Sequence, residues 1–141
     1  MKRNYFLKTI GASDHLLSDD WTQTDPHLLS SVRFPKRPSS IKRGDFLVYY
    51  ATGEQRIFAI GRAVGDGADA AHEIAPGEAR WPYLLKIQVF LLIPKLALAP
   101  KWDSMGIEST SIMQKSHIEI NQRQYEKAWE AIVKRTRLND S

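Results

Sequence analysis

The segment GDFLVYYATGEQRIFAIGRAVGDG, residues 44 to 67, restricts the fold more than any other part of the chain. Phe46, Val48 and Tyr50 alternate with Leu47, Tyr49 and Ala51, so a strand here is apolar on both faces. Such a strand needs cover on both sides, which makes it central in a sheet or part of a closed barrel. ATGEQR with Gly53 supplies a turn, and RIFAIGRAV continues as a second strand. Gly61 inside that second strand predicts a bend or a close backbone approach. Alternation also sends Tyr49 and Tyr50 to opposite faces, so only one of them can line a given pocket.

Around this hairpin the sequence predicts short elements. NYFLKTI, residues 4 to 10, alternates and is rich in strand formers. GASDH breaks it, and Ser13 is a candidate cap for a turn through His15–Leu17. In TDPHLLSSV, Asp25 fits an N-cap and Pro26 the first helical position, which predicts a short helix. FPKRPSSIKRGD, with two prolines and two serines, reads as a surface loop. WPYLLKIQVFLLIP predicts a half-buried strand that becomes more fully buried toward Pro94. LALAPKWDSMGI suggests a short helix or turn, and SHIEI an extended piece with Ile118 and Ile120 inward. Asn121 with Gln124 forms a capping box that opens a helix striped by Tyr125, Trp129, Ile132 and Val133. The sum is one α+β domain over residues 1–141: a small mixed β pseudo-barrel flanked by short helices, with an amphipathic C-terminal helix.

Composition narrows the function classes. The chain of 141 residues has no cysteine, which removes thiol nucleophiles, disulfides and thiolate zinc sites. Its histidines, His15, His27, His72 and His117, never fall at HxH or HxxxH spacing, so neither a metal nor a cofactor is expected. No apolar run approaches the roughly 18 residues of a membrane span, and MKRNYFLKTIGASDH has only a broken apolar segment. A cytoplasmic location without membrane attachment is expected. GRAVGDG does not match a dinucleotide fingerprint, and neither a GxSxG elbow nor a P-loop is present. The formal charge of +4 and pI near 9.4 favour an anionic partner. Lys36, Arg37, Lys42 and Arg43 fall within eight residues and are candidate phosphate contacts, or else a solvated surface. Lys134, Arg135 and Arg137 fit cations complementing a helix end.

The aromatic residues support binding over catalysis. Trp21 stands in SDDWTQTD without a periodic partner and is expected at a pocket. Trp81 follows Arg80 and Trp102 follows Lys101, and a ring beside a cation can stack a base and neutralise its phosphate. Trp129 lies on the helix stripe and is expected to pack.

The order of NYFLKTIGASDH, the hairpin, WPYLLKIQVFLLIP and SIMQKSHIEINQRQYEKAWEAI resembles the EVE domain, a member of the PUA-like superfamily related to the YTH and ASCH domains. The hairpin carries most of the resemblance: a Gly-Asp start, a strand ending in Tyr, a small polar pair, then Gly before a small residue and Val. The resemblance implies a pseudo-barrel with a pocket for a modified base of DNA or RNA, methylated or hydroxymethylated. Carried onto matching positions, it points to Ala12, Ser13, Trp21, Tyr50, Thr52, Gly53, Ser116 and His117. The second wall of the cage is left among Phe34, Trp81 and Trp102. Two alternatives stay open. One is an ASCH-like amidohydrolase acting on a modified nucleoside, for which Lys8 and Glu54 are the candidate groups; the other is a protein-interaction module.

Overall fold

In the computed structural model, residues 3–11, 16–73, 80–107 and 115–139 are described. The double-faced strand is β3, Phe46–Ala51, and it lies inside the sheet. On one side it pairs in parallel with β1, Tyr5–Ile10, in the register Tyr5↔Phe46 to Ile10↔Ala51. On the other it pairs antiparallel with β4, Arg56–Ala63. β4 pairs in turn with β6, Tyr83–Leu92, which pairs with β2, Ser31–Phe34, and with the two-residue β5, Ala71–His72. At the far edge β7, His117–Ile120, adds antiparallel to β1. The order is β2-β6-β4-β3-β1-β7, a curled mixed sheet that makes a half-barrel.

Each face of β3 is covered by a different set of side chains. Inside the curl, Leu47 and Tyr49 are fully buried, and the Tyr49 hydroxyl donates to the Leu28 carbonyl at 2.7 Å. That bond satisfies a hydroxyl which burial would otherwise penalise. Outside, Phe46 stacks with Tyr5 and meets Tyr125 of the C-terminal helix α2, Gln122–Asn139, with ring centres 5.1 Å apart. Tyr50 packs on the same outer side against Trp102, at 5.3 Å. Burying such side chains stabilises the fold by about 1.5–3 kcal/mol each.

Local signals explain the hairpin and the helix start. Gly53 and Gln55 take left-handed backbone in the β3–β4 turn, with φ of 92° and 56°. Register shifts lie between Tyr49 and Tyr50 in the β3–β4 pair and between Ile60 and Gly61 in the β4–β6 pair, and they curl the sheet. At Gly61 a Cβ would lie 2.4 Å from Ile87 Cγ2 and 3.1 Å from the Gln88 carbonyl oxygen, the close approach the sequence predicts. The capping box is formed on both arms: the Gln124 N–H donates to Asn121 Oδ1 at 2.8 Å, and the Asn121 N–H to Gln124 Oε1 at 2.9 Å.

The expected short helix at Pro26 is present as a single 3-10 turn, Pro26–Leu29, with Asp25 at the N-cap position but without a side-chain cap bond. Other expectations need correction. Residues from Ser31 on leave that turn for β2, because Val32 and Phe34 alternate inward and β6 offers an open edge. A one-turn helix α1, Trp21–Thr24, stands where no helix was expected. β6 keeps its alternation through Gln88, but Phe90 is 49% exposed and full burial returns only at Ile93. In α2 the buried stripe is centred on Ala128 and Ile132, which leaves Trp129 on its flank and 43% exposed.

Gly61→Ala is expected to lower the urea midpoint by an amount equivalent to about 1–3 kcal/mol. Gly65→Ala, whose Cβ would meet nothing within 4 Å, serves as the control and should stay within about 0.5 kcal/mol.

Candidate base-binding site

β1 alternates Phe6, Lys8 and Ile10 toward the inside of the curl, and Lys8 is 2% exposed. Register places Tyr49 of β3 and His117 of β7 on either side of it, on the same inner face. Its ammonium donates to the Thr9 carbonyl at 2.8 Å. The same Nζ lies 4.7 Å from the ring centre of Phe34, at the end of β2, and 5.0 Å from that of Trp81, just before β6. Phe34 also meets the His117 ring edge-on at 5.1 Å. Trp81 and His117 are half-buried, so the cluster reaches solvent through them.

The electrostatics follow from burial. Removing the Lys8 ammonium from water pushes its pKa down from 10.5 to about 7, and among the described residues no carboxylate forms an ion pair with it. The two aromatic faces compensate only in part. His117 is shifted down as well, by its own burial and then by repulsion from Lys8. Its Nδ1 is 3.0 Å from Ser116 Oγ, and the Ser116 carbonyl accepts from the Thr9 N–H at 2.9 Å and the Thr9 hydroxyl at 2.8 Å. These bonds fix the start of β7 beside the cluster.

A basic rim adjoins it. The Arg37 guanidinium is held by the Ala68 and Ala70 carbonyls at 2.9 and 3.1 Å and stacks over Tyr83 at 4.9 Å. Arg33 donates to the Trp81 carbonyl at 3.4 Å and pairs with Glu73 at 3.9 Å. Lys36, Lys42 and Arg43 are exposed. Lys42 and Arg43 precede β3, where their backbone N–H groups bond to Asp45 and Asp66. Among the described residues no three His, Cys, Asp or Glu side chains could hold a metal ion.

The residues expected to form one pocket therefore separate. Phe34, Trp81, Ser116 and His117 come together around Lys8. Tyr50 and Trp102 pack on the outer face instead, 5% and 6% exposed, since alternation gives the inner face to Tyr49. Thr52 donates its N–H to the Ile10 carbonyl, and Gly53 lies at the turn beyond it. Trp21 belongs to the core: it is fully buried, its Nε1–H donates to the Ile93 carbonyl at 2.8 Å, and it meets Phe58 edge-on. A ring with no exposed face cannot stack a base, and the same full burial removes Phe34 as a cage wall. Ala12 and Ser13 lie outside the described residues. Glu54 sits in the β3–β4 turn and pairs with Arg56 at 3.7 Å. Lys8 was legible only as a catalytic candidate; its signal for the pocket is a lysine at the inward register of an apolar strand. A separate open groove of about 820 Å³ beside Arg3, Asn4 and Gln122 has Tyr5 as its aromatic residue, and that ring is already stacked on Phe46.

No protein-family model matches this sequence, and no curated protein matches it. Solved structures do share its architecture. The Mmi1 YTH domain in its complex with RNA superposes with a TM-score of 0.60 at 9% identity, over 98% of this chain and 82% of that one. The Pho92 YTH domain in complex with m6A gives 0.53 at 14%, over 94% and 86%. This chain has the YTH fold. Protein Atu2648 from Agrobacterium tumefaciens is similar to it too, with a TM-score of 0.55 at 12% identity over 91% and 92%. The PUA-like, YTH-related resemblance read from the sequence is borne out at the level of fold.

Because the unfolded chain holds the Lys8 proton up to pH 10.5 and the folded chain only to about 7, stability rises with pH between those values. Lys8→Met removes the buried cation, so the variant should be the more stable below about pH 7. Its advantage should shrink toward pH 9 by up to about 1.4 kcal/mol per pH unit, measured by urea unfolding. An advantage that does not vary with pH would mean that Lys8 is not titrating in this window.

Proposed function

We propose that this chain is a non-catalytic nucleic-acid-binding module that captures a modified base of DNA or RNA at the Lys8 cluster. The observation that carries the reading is the half-buried Trp81 ring beside the buried Lys8 ammonium and the half-buried His117, with the fully buried Phe34 packed against Lys8 and His117 and an exposed, anchored Arg37 nearby. A flat heterocycle stacks on the accessible Trp81 ring, an interaction that contributes about 1–3 kcal/mol per base. Arg37, with Lys36 nearby in the loop, meets the phosphates and adds a salt-dependent, sequence-independent affinity. The fold supports the same reading, since YTH domains of this architecture have been solved with RNA and with m6A. Taking the base out of its stack costs a few kcal/mol, which makes single strands and loops the favoured targets.

Lys8 favours a second reading, hydrolysis of an acylated nucleoside, because a buried amine with a pKa near 7 suits acid–base work. Hydrolysis also needs a partner for the water, and Glu54, the carboxylate the sequence offers, is tied to Arg56 in the turn. Capture without turnover is the simpler use of the geometry.

The test is binding of matched single-stranded oligonucleotides, unmodified or carrying one modified base, measured by fluorescence polarisation at two salt concentrations. Trp81→Ala should lose about 1–3 kcal/mol of affinity together with the discrimination between modified and unmodified strands. Arg37→Ala should weaken both strands alike and flatten the salt dependence by about one phosphate contact. Unaltered binding and discrimination in Trp81→Ala would refute the assignment of the site.

A further inference from the structure

A lysine ammonium carries three donors, and Lys8 commits one of them, to the Thr9 carbonyl. The others face aromatic rings, which attract a cation but accept no strong hydrogen bond. Among the described residues the ammonium has no carboxylate, and its neighbour His117 is not an anion in either protonation state. A buried cation without a counter-charge is costly, and an apolar side chain at this inward position would pack at no such cost. The missing partner is an acceptor oxygen. The accessible wall decides what can bring it: Trp81 is flat and half-buried, whereas Phe34 is fully buried, so the Trp81 face suits a planar heterocycle better than a tetrahedral phosphate.

We propose that Lys8 is the specificity-determining residue of the site and selects a base whose modification presents an oxygen, a carboxylate before a carbonyl, over a base modified by a methyl group alone. The inference rests on the reading of the chain as a modified-base binder. A carboxylate supplies both the acceptor and the counter-charge, and a formyl group supplies the acceptor only. A methyl group supplies neither and leaves the ammonium as it stands in the free protein. An exocyclic N-methylamine turns an N–H donor toward another donor and is disfavoured further.

The experiment compares single-stranded oligonucleotides carrying one 5-carboxylcytosine, 5-formylcytosine, 5-methylcytosine or N6-methyladenine, for the wild type and for Lys8→Met. The wild type should bind the carboxylated strand about tenfold to a hundredfold more tightly than the methylated ones, with the formylated strand between them. Lys8→Met, whose thermal transition reports that it folds, should lose that order. Equal or tighter binding of either methylated strand by the wild type would overturn the proposal and leave the binder reading standing. So would a carboxylate preference that survives in Lys8→Met. If no strand is distinguished from its unmodified form, the binder reading fails, and free cytosine-5-carboxylate set against cytosine and inorganic phosphate then decides the role of Lys8. Thermal stabilisation by the carboxylated base alone, in the wild type and not in Lys8→Met, would uphold it; no stabilisation, or the same shift with phosphate, would overturn it.

Discussion

β3 must be buried on both faces, and that requirement organises the molecule. Its parallel pairing with β1 and antiparallel pairing with β4 leave two apolar surfaces, each closed by different means. Outside, α2 and the turn bearing Trp102 cover Phe46 and Tyr50. Inside, the sheet curls over Tyr49 and brings β2, at one end of the strand order, toward β7 at the other. The Phe34–His117 contact is the product of that curl, since the two rings come from opposite edge strands. The candidate site is thus a consequence of how the core closes, and its walls are held by the same packing that holds the fold.

Lys8 is the exception to that apolar logic. Every other inward position of β1 is hydrophobic, and the lysine lies between them with one backbone partner and two rings. The fold accepts a lowered pKa and a loss of stability at neutral pH in order to keep an amine there. Departures of this kind, where local consistency is broken without a structural gain, mark functional sites. Tyr49 and Trp21 make the contrast clear. Both are polar-tipped and fully buried, and both find a backbone carbonyl, so neither needs anything from a ligand.

Local signals were readable in the sequence, and signals that depend on closure were not. Residues a few positions apart encode the β3–β4 hairpin and the Asn121–Gln124 box, and the structure contains both. β2 was masked by the helix signal of Asp25–Pro26, because its partner β6 lies some fifty residues away. Trp21 looked unpartnered for the same reason: Ile93 accepts its N–H, while Asp19 bonds the Ala97 N–H and Asp20 pairs with Lys95. Trp129 was assigned to the core by spacing alone, whereas small Ala128 sets which face of α2 sits closest to the sheet. Among the site residues, Phe34, Trp81 and His117 could be proposed singly. Their convergence on Lys8 required the register of β1 with β7 and the curl that joins the sheet's edges.

The most direct test follows the four tryptophan indole N–H signals by two-dimensional ¹H–¹⁵N NMR during titration with a single-stranded oligonucleotide carrying a modified base. Trp81 forms a wall of the proposed site, Trp21 is locked to the Ile93 carbonyl, Trp102 packs beneath Tyr50, and Trp129 lies on the outer flank of α2. The account predicts that the Trp81 signal shifts or broadens while the other three hold their positions. Movement of Trp21, Trp102 or Trp129 with Trp81 unchanged would contradict it and move the binding site away from Lys8.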